Sequence, residues 1–261
     1  MTKLTCGLLI GSVVALPAVA SAEETDVGFQ VETAVASSYV SRGIVQYASR
    51  TEPSSQTTAA VHVDHVGPGT LALTGFTAVA MDEYDAQPGN ALEVDLSLSY
   101  AMQARSLTVT FGYSAALFPH HMDGTPLDGT HELSAMVSYD NPYVVPAVAA
   151  NVEVARQQGV YLMLGASRDL HAEAWTFSPA VSAGAATYRK YQGGDKAVGP
   201  HLNDVTAGAA LKRDFDRGVY AAARLSYAYC GTPSEVMSMD SDWSMGGRST
   251  VVGMLAVGVS H

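Results

Sequence analysis

The chain has 261 residues, 48% of them hydrophobic, and sets 25 acidic side chains against 14 basic ones for a formal charge of −11. That balance argues against nucleic acid or an anionic lipid surface as a partner. With two cysteines there is no disulfide framework, so stability has to come from burial and hydrogen bonding.

The first 22 residues, MTKLTCGLLIGSVVALPAVASA, combine Lys3, an apolar run from Leu8 to Leu16 and the small-residue ending Ala20-Ser21-Ala22. This is the pattern of a secretory signal peptide, and the run is too short to anchor a bilayer as a helix. Its removal would take away Lys3 and Cys6, leaving Cys230 as the lone thiol and a single domain over residues 23–261.

From residue 28 onward the dominant signal is period-2 alternation. The first predicted strand covers 28–41 and runs into 37-SSYVSRGIVQY-47, where Arg42 and Gly43 interrupt it. Further strands are predicted near 57–66, 70–81, 90–102, 106–118, 130–140, 143–154, 159–168, 173–188, 203–213, 218–230 and 249–260. The clearest is 91-ALEVDLSLSYAM-102, in which Leu92, Val94, Leu96, Leu98, Tyr100 and Met102 share one face while Glu93, Asp95, Ser97 and Ser99 share the other. A helix would scramble those two sets.

The connections alternate in length. Gly67-Pro68-Gly69, Gln103-Ala104-Arg105, Asn141-Pro142, Asp169-Leu170-His171 and Phe215-Asp216-Arg217 are short, whereas 42–56, 82–89, 119–129, 189–202 and 231–248 are long, with 155–158 as an exception. A soluble sandwich has no reason to sort loop length by side. The expected fold is therefore all-β: one closed antiparallel transmembrane barrel of about twelve strands, with short periplasmic turns and longer extracellular loops.

In such a barrel the apolar set meets lipid and the polar set lines the lumen. The lining is expected to comprise Glu32, Asp64, Glu93, Asp95, Glu132 and Glu153, with Arg168, Lys212 and Arg224 as counter-charges. Aromatics near strand ends, including Tyr39, Tyr100, Tyr139, Tyr143, Trp175 and Tyr229, fit interfacial girdles or plain strand propensity. With Tyr39 on the lipid side, alternation puts Arg42 at the channel mouth. Ionised groups enclosed this way need water or partners, so two outcomes stay open: a wet, conducting lumen, or acids and bases paired into a plug-like network.

The segment 38-SYVSRGIVQ-46 resembles an early motif of the TorF family of porins, carried by Ser38, Tyr39, Val40, Arg42, Gly43 and Gln46, with Ser41 standing where the family often has an aromatic. The resemblance implies an outer-membrane channel and brings no catalytic residues. The chain's end departs from the usual barrel pattern, because His261 takes the outward slot where a terminal aromatic is common.

Other chemistry is weaker. His120, His121, Asp123, Asp128 and His131 could gather a transition metal, but their spacing fits a solvated loop better, and Asp240 and Asp242 lack the oxygen rhythm of a calcium loop. No metal or cofactor is expected. A lipid-modifying hydrolase would need a serine beside an outward histidine; His131 has that parity, whereas Ser134 and Ser138 face inward. The expectation is a porin-like passive channel with an acidic, cation-favouring lumen, whose partners are outer-membrane lipid and small solutes or ions. The alternatives are a non-conducting structural barrel of the envelope or, further off, the hydrolase.

Overall fold

A computed structural model describes residues 26–41, 44–45, 53–81, 91–118, 127–155, 159–188, 198–230 and 249–261. Residues 1–25, which include the expected signal peptide, lie outside the described residues, as do Arg42, Gly43, Gln46, the His120-His121-Asp123 group and Asp240 with Asp242.

The strands are β1 (Val27–Ala36), β2 (Val40–Ser41), β3 (Ile44–Val45), β4 (Ser54–Val66), β5 (Gly69–Ala80), β6 (Ala91–Ala104), β7 (Leu107–Phe118), β8 (Leu127–Tyr139), β9 (Val145–Glu153), β10 (Val160–Ser167), β11 (Leu170–Ala172), β12 (Trp175–Tyr188), β13 (Val198–Asp214), β14 (Val219–Cys230) and β15 (Ser249–Ser260). Twelve of them pair antiparallel with both neighbours, and the pairings β10 to β12 and β1 to β15 close the ring. The sheet therefore has no long free edge, which is what a strand structure needs in hydrocarbon. β2 and β3 form a small hairpin after the first strand, and a short 3-10 turn at Asp216–Gly218 precedes β14.

The C-terminal residue and the tight turns gather at one rim. Arg105-Ser106, Glu173-Ala174 and the turn around Gly67 each join strands within a few residues, and Arg105, Glu173 and Arg217 adopt positive φ there. The turn expected at Asp169-Leu170-His171 falls later, at Glu173-Ala174. Leu170–Ala172 pairs with Trp175–Phe177 as β11, continuing the line of β10 after a break at Arg168-Asp169. The last residue is bonded into the seam: His261 N–H donates to Phe29 O at 2.9 Å and Phe29 N–H to His261 O at 3.0 Å. The imidazole lies 5.9 Å from the Phe29 ring on the outer wall, so the non-aromatic end leaves the last pairing intact.

Alternation sorts the side chains. Val31, Val35, Leu73, Leu96, Leu98, Phe111, Leu133, Val148, Leu164, Leu225, Leu255 and Val257 stand exposed on the outer wall. An apolar surface of that extent is incompatible with water as the surrounding solvent, since monomeric soluble proteins rarely expose contiguous patches beyond a few hundred Å². Together with the closed sheet, it makes this an outer-membrane barrel.

One side chain breaks the parity. β1 ends at Ala36 and the chain bends at Ser37-Ser38, so Tyr39 points inward, 7% exposed, instead of toward lipid. Ser37 tethers the bend, its N–H donating to Gly253 O at 2.8 Å while its hydroxyl accepts from Gly253 N–H at 3.0 Å.

Candidate functional site: the polar interior

The interior carries its acids unevenly along the axis. Glu93, Asp95, Glu132 and Glu153 sit near the outer ends of β6, β8 and β9, and Glu132 faces Glu153 directly across the β8–β9 pair. Like charges opposed on neighbouring strands repel, so this arrangement calls for donors. Glu153 Oε1 accepts from His131 N–H at 3.3 Å and from Ala155 N–H at 3.0 Å. Asp64 lies at the periplasmic end, where it accepts from the Thr70 hydroxyl at 2.5 Å with His62 Nε2 3.9 Å away.

Bases are few and differ in what they hold. Arg224 is bidentate to Glu32, at 2.7 Å and 2.6 Å, from β14 across β15 to β1. Lys212 sits 2.8 Å from Asp214 and 5.0 Å from the Tyr220 ring centroid, near the periplasmic rim. Arg168, expected as a counter-charge, instead donates to the Asn141 carbonyl at 3.0 Å and braces a periplasmic turn. The residue follows β10 where the strand line breaks, so alternation did not fix its direction.

Tyrosine hydroxyls supply the donors that the scarce bases do not. Tyr39 donates to Glu93 Oε2 at 2.5 Å, Tyr161 to Asp204 Oδ1 at 2.9 Å and Tyr220 to Glu32 Oε2 at 2.9 Å. Two of these bonds pass over a glycine on the strand between. A methyl at Gly258 would lie 2.4 Å from the Tyr220 ring, and one at Gly184 would lie 2.3 Å from Tyr161 Oη. Each glycine therefore leaves space for a ring to cross its strand and reach a carboxylate two strands away.

Asp204 was missing from the expected lining. It is fully buried, with Asn203 Nδ2 donating to the same Oδ1 at 2.9 Å. The predicted strand began at 203, which made Asp204 look like an end residue; β13 starts at Val198, and a register shift beside Gly184 turns both Asn203 and Asp204 inward. The parity of Val205 on the outer face carried the signal for Asp204.

Opposite the Arg224–Glu32 network, β6 to β8 carry a row of neutral hydroxyls alongside their acids. Ser97, Ser99, Thr108, Thr110, Ser114, Thr130, Ser134 and Ser138, from β6 to β8, all turn inward and stay partly accessible. Ser97 reaches Thr74 O at 3.5 Å; the other seven hydroxyls have no hydrogen-bond partner among the described residues. Hydroxyls that retain accessible surface and lack protein partners are hydrated. Asp95 stands at the outer end of this wall on β6, and Glu132 sits within it on β8, between Thr130 and Ser134.

On the outside, His131 Nδ1 lies 2.6 Å from the Tyr113 hydroxyl, its ring stacked on that tyrosine, while Ser134 and Ser138 turn inward.

No family model matches the chain, and no curated protein matches it. Solved structures do. The COG4313 outer membrane channel from Pseudomonas putida F1 aligns with TM-score 0.50 at 8% identity, over 92% of this chain and 97% of that one. The NanC porin aligns with TM-score 0.49 at 12% identity, over 89% and 98%, and LpxR from Salmonella typhimurium with TM-score 0.49 at 10%, over 88% and 99%. At these identities the likeness is one of fold: a closed barrel of the bacterial outer membrane.

Proposed function

We propose that the protein is a porin-like passive diffusion channel whose solutes are small ions and small neutral or cationic molecules. The observation that carries this reading is the row of inward, partly accessible hydroxyls on β6–β8. Such a wall offers a moving solute exchangeable hydrogen bonds and no tight site, as conduction requires. Glu93, Asp95, Glu132 and Glu153, in the outer half of the lumen, would raise the local concentration of cations, which is the basis for a cation preference. The resemblance of 38-SYVSRGIVQ-46 to TorF porins supports the same reading, and Tyr39 of that segment braces Glu93 at the outer end of the lumen.

Single-channel recording in planar bilayers tests this. The expected result is an ohmic current whose reversal potential, in a salt gradient, lies on the cation side. An anion-side reversal would refute the electrostatic assignment, and silence across repeated insertions would refute the channel.

One observation favours a second reading, a sealed barrel with a scaffolding role. The outer-half acids are closed off: Glu153 is 3% exposed and Asp204 fully buried. Under that reading the seam network and the outer acids form a plug, and no current flows. The enzymatic alternative receives no such support, because the outward neighbour of His131 is a tyrosine hydroxyl.

A further inference from the structure

The outward face of β13 is apolar through Val205, Ala207, Ala209 and Leu211, and then ends in a cation, Arg213. A charge on the lipid face is tolerated where it reaches the interface, and Arg213 lies one residue from the periplasmic end of its strand. Its guanidinium is flanked by two aromatic rings, with the carbon 5.2 Å from the Trp175 centroid and 5.2 Å from the Phe215 centroid. Trp175 is its direct partner in register on β12. Both rings are themselves exposed on the outer wall.

Among the described residues the guanidinium has no acid to serve. Asp214, next in sequence, lies within ion-pair distance of Lys212. Among the described residues Arg213 makes no ion pair and no side-chain hydrogen bond. Rings flanking a guanidinium engage its face and leave its N–H edge for a planar, bidentate acceptor, and phosphate fits that geometry. One row toward the membrane centre, Leu170, Phe177 and Leu211 stand side by side in register, each exposed. A cation at the interface above an apolar row matches the outline of a phospholipid, with headgroup above and acyl chain below.

We propose that Arg213, Trp175 and Phe215 form a site for an anionic phospholipid of the periplasmic leaflet, its phosphate on the guanidinium and an acyl chain along Leu170, Phe177 and Leu211. The site is a local exception to the chain's acidic balance, and it stands whether or not the barrel conducts.

Trp175 is a built-in probe, since the chain has two tryptophans and the other, Trp243, can be replaced by phenylalanine. The Trp243→Phe protein is reconstituted in phosphatidylcholine bilayers containing either brominated phosphatidylglycerol or brominated phosphatidylcholine at equal mole fraction. The proposal expects the brominated anionic lipid to quench Trp175 with an apparent affinity about fivefold above the zwitterionic one. Arg213→Gln should abolish that preference while leaving quenching by brominated phosphatidylcholine unchanged, which verifies that Trp175 still faces lipid. Inorganic phosphate, matched in ionic strength by chloride, should leave the preference in place, because a free anion lacks the chain. Equal quenching by both lipids in the parent, an undiminished preference in Arg213→Gln, or loss of the preference to inorganic phosphate would each overturn the assignment.

Discussion

Two arcs of the same inner wall, built by one alternation rule, do opposite things with polar groups. The seam arc, β13 to β15 and β1, binds its charges into a network: Arg224 and Tyr220 converge on Glu32, Gln30 Nε2 donates to Tyr220 Oη at 2.8 Å, and Lys212 pairs with Asp214. The facing arc, β6 to β8, carries its acids, Glu93, Asp95 and Glu132, toward the outer half and otherwise presents neutral hydroxyls, most of which bond to nothing among the described residues. Enclosed charges are stable only when paired, whereas hydroxyls can be left to water at little loss. The seam arc can therefore hold the first strand to the last while the other wall stays wet.

The contrast breaks most visibly at Arg224. Arg224→Ala leaves Glu32 buried without its cation and should lower stability by about 3–5 kcal/mol. Replacing both partners, Glu32→Gln with Arg224→Met, should restore most of that loss; urea unfolding from liposomes reads both. If the single and double variants unfold alike, the pair is not a latch. Gly258→Ala comes next, because its methyl would meet the Tyr220 ring at 2.4 Å. The strain should amount to about 1–3 kcal/mol, and Tyr220→Phe in the same background should relieve little of it, since the ring remains.

At the outer end, Tyr161→Phe removes one of two donors to Asp204 Oδ1. The expected loss is about 1–3 kcal/mol, with Asp204→Asn in combination recovering part of it. A smaller effect is expected on the facing arc. Thr110→Val or Ser134→Ala should alter stability by no more than about 0.5 kcal/mol yet lower the single-channel current. A change in unfolding as large as that of Arg224→Ala would merge the two arcs into one.

Much of this was legible in the chain because strand parity is stiff: once Val94, Leu96 and Leu98 turn outward, Glu93 and Asp95 have no other place to go. All twelve barrel strands are visible that way, as are the inward positions of Glu32, Asp64, Glu132, Glu153, Lys212 and Arg224. What was not legible lies where parity resets. A bend at Ser37-Ser38 reverses Tyr39, and the broken line between β10 and β11 frees Arg168 to reach a turn carbonyl. The tyrosine–carboxylate bonds were hidden for another reason. Two of them, from Tyr161 and Tyr220, join residues on next-nearest strands, and their only sequence trace is a glycine, at 184 or 258, whose purpose depends on a neighbour that alternation alone does not name.

The most direct test compares one position from each arc. In a protein lacking Cys230, single cysteines replace Thr110 on the hydroxyl wall and Ala222 on the seam arc, and a small cationic thiol reagent is added to the folded protein in bilayers. If the wall from β6 to β8 lines a water-filled path, the cysteine at 110 reacts fully while the one at 222, enclosed beside the Arg224 network, stays protected. Protection at both positions, or equal reaction at both, would contradict the division on which the account rests.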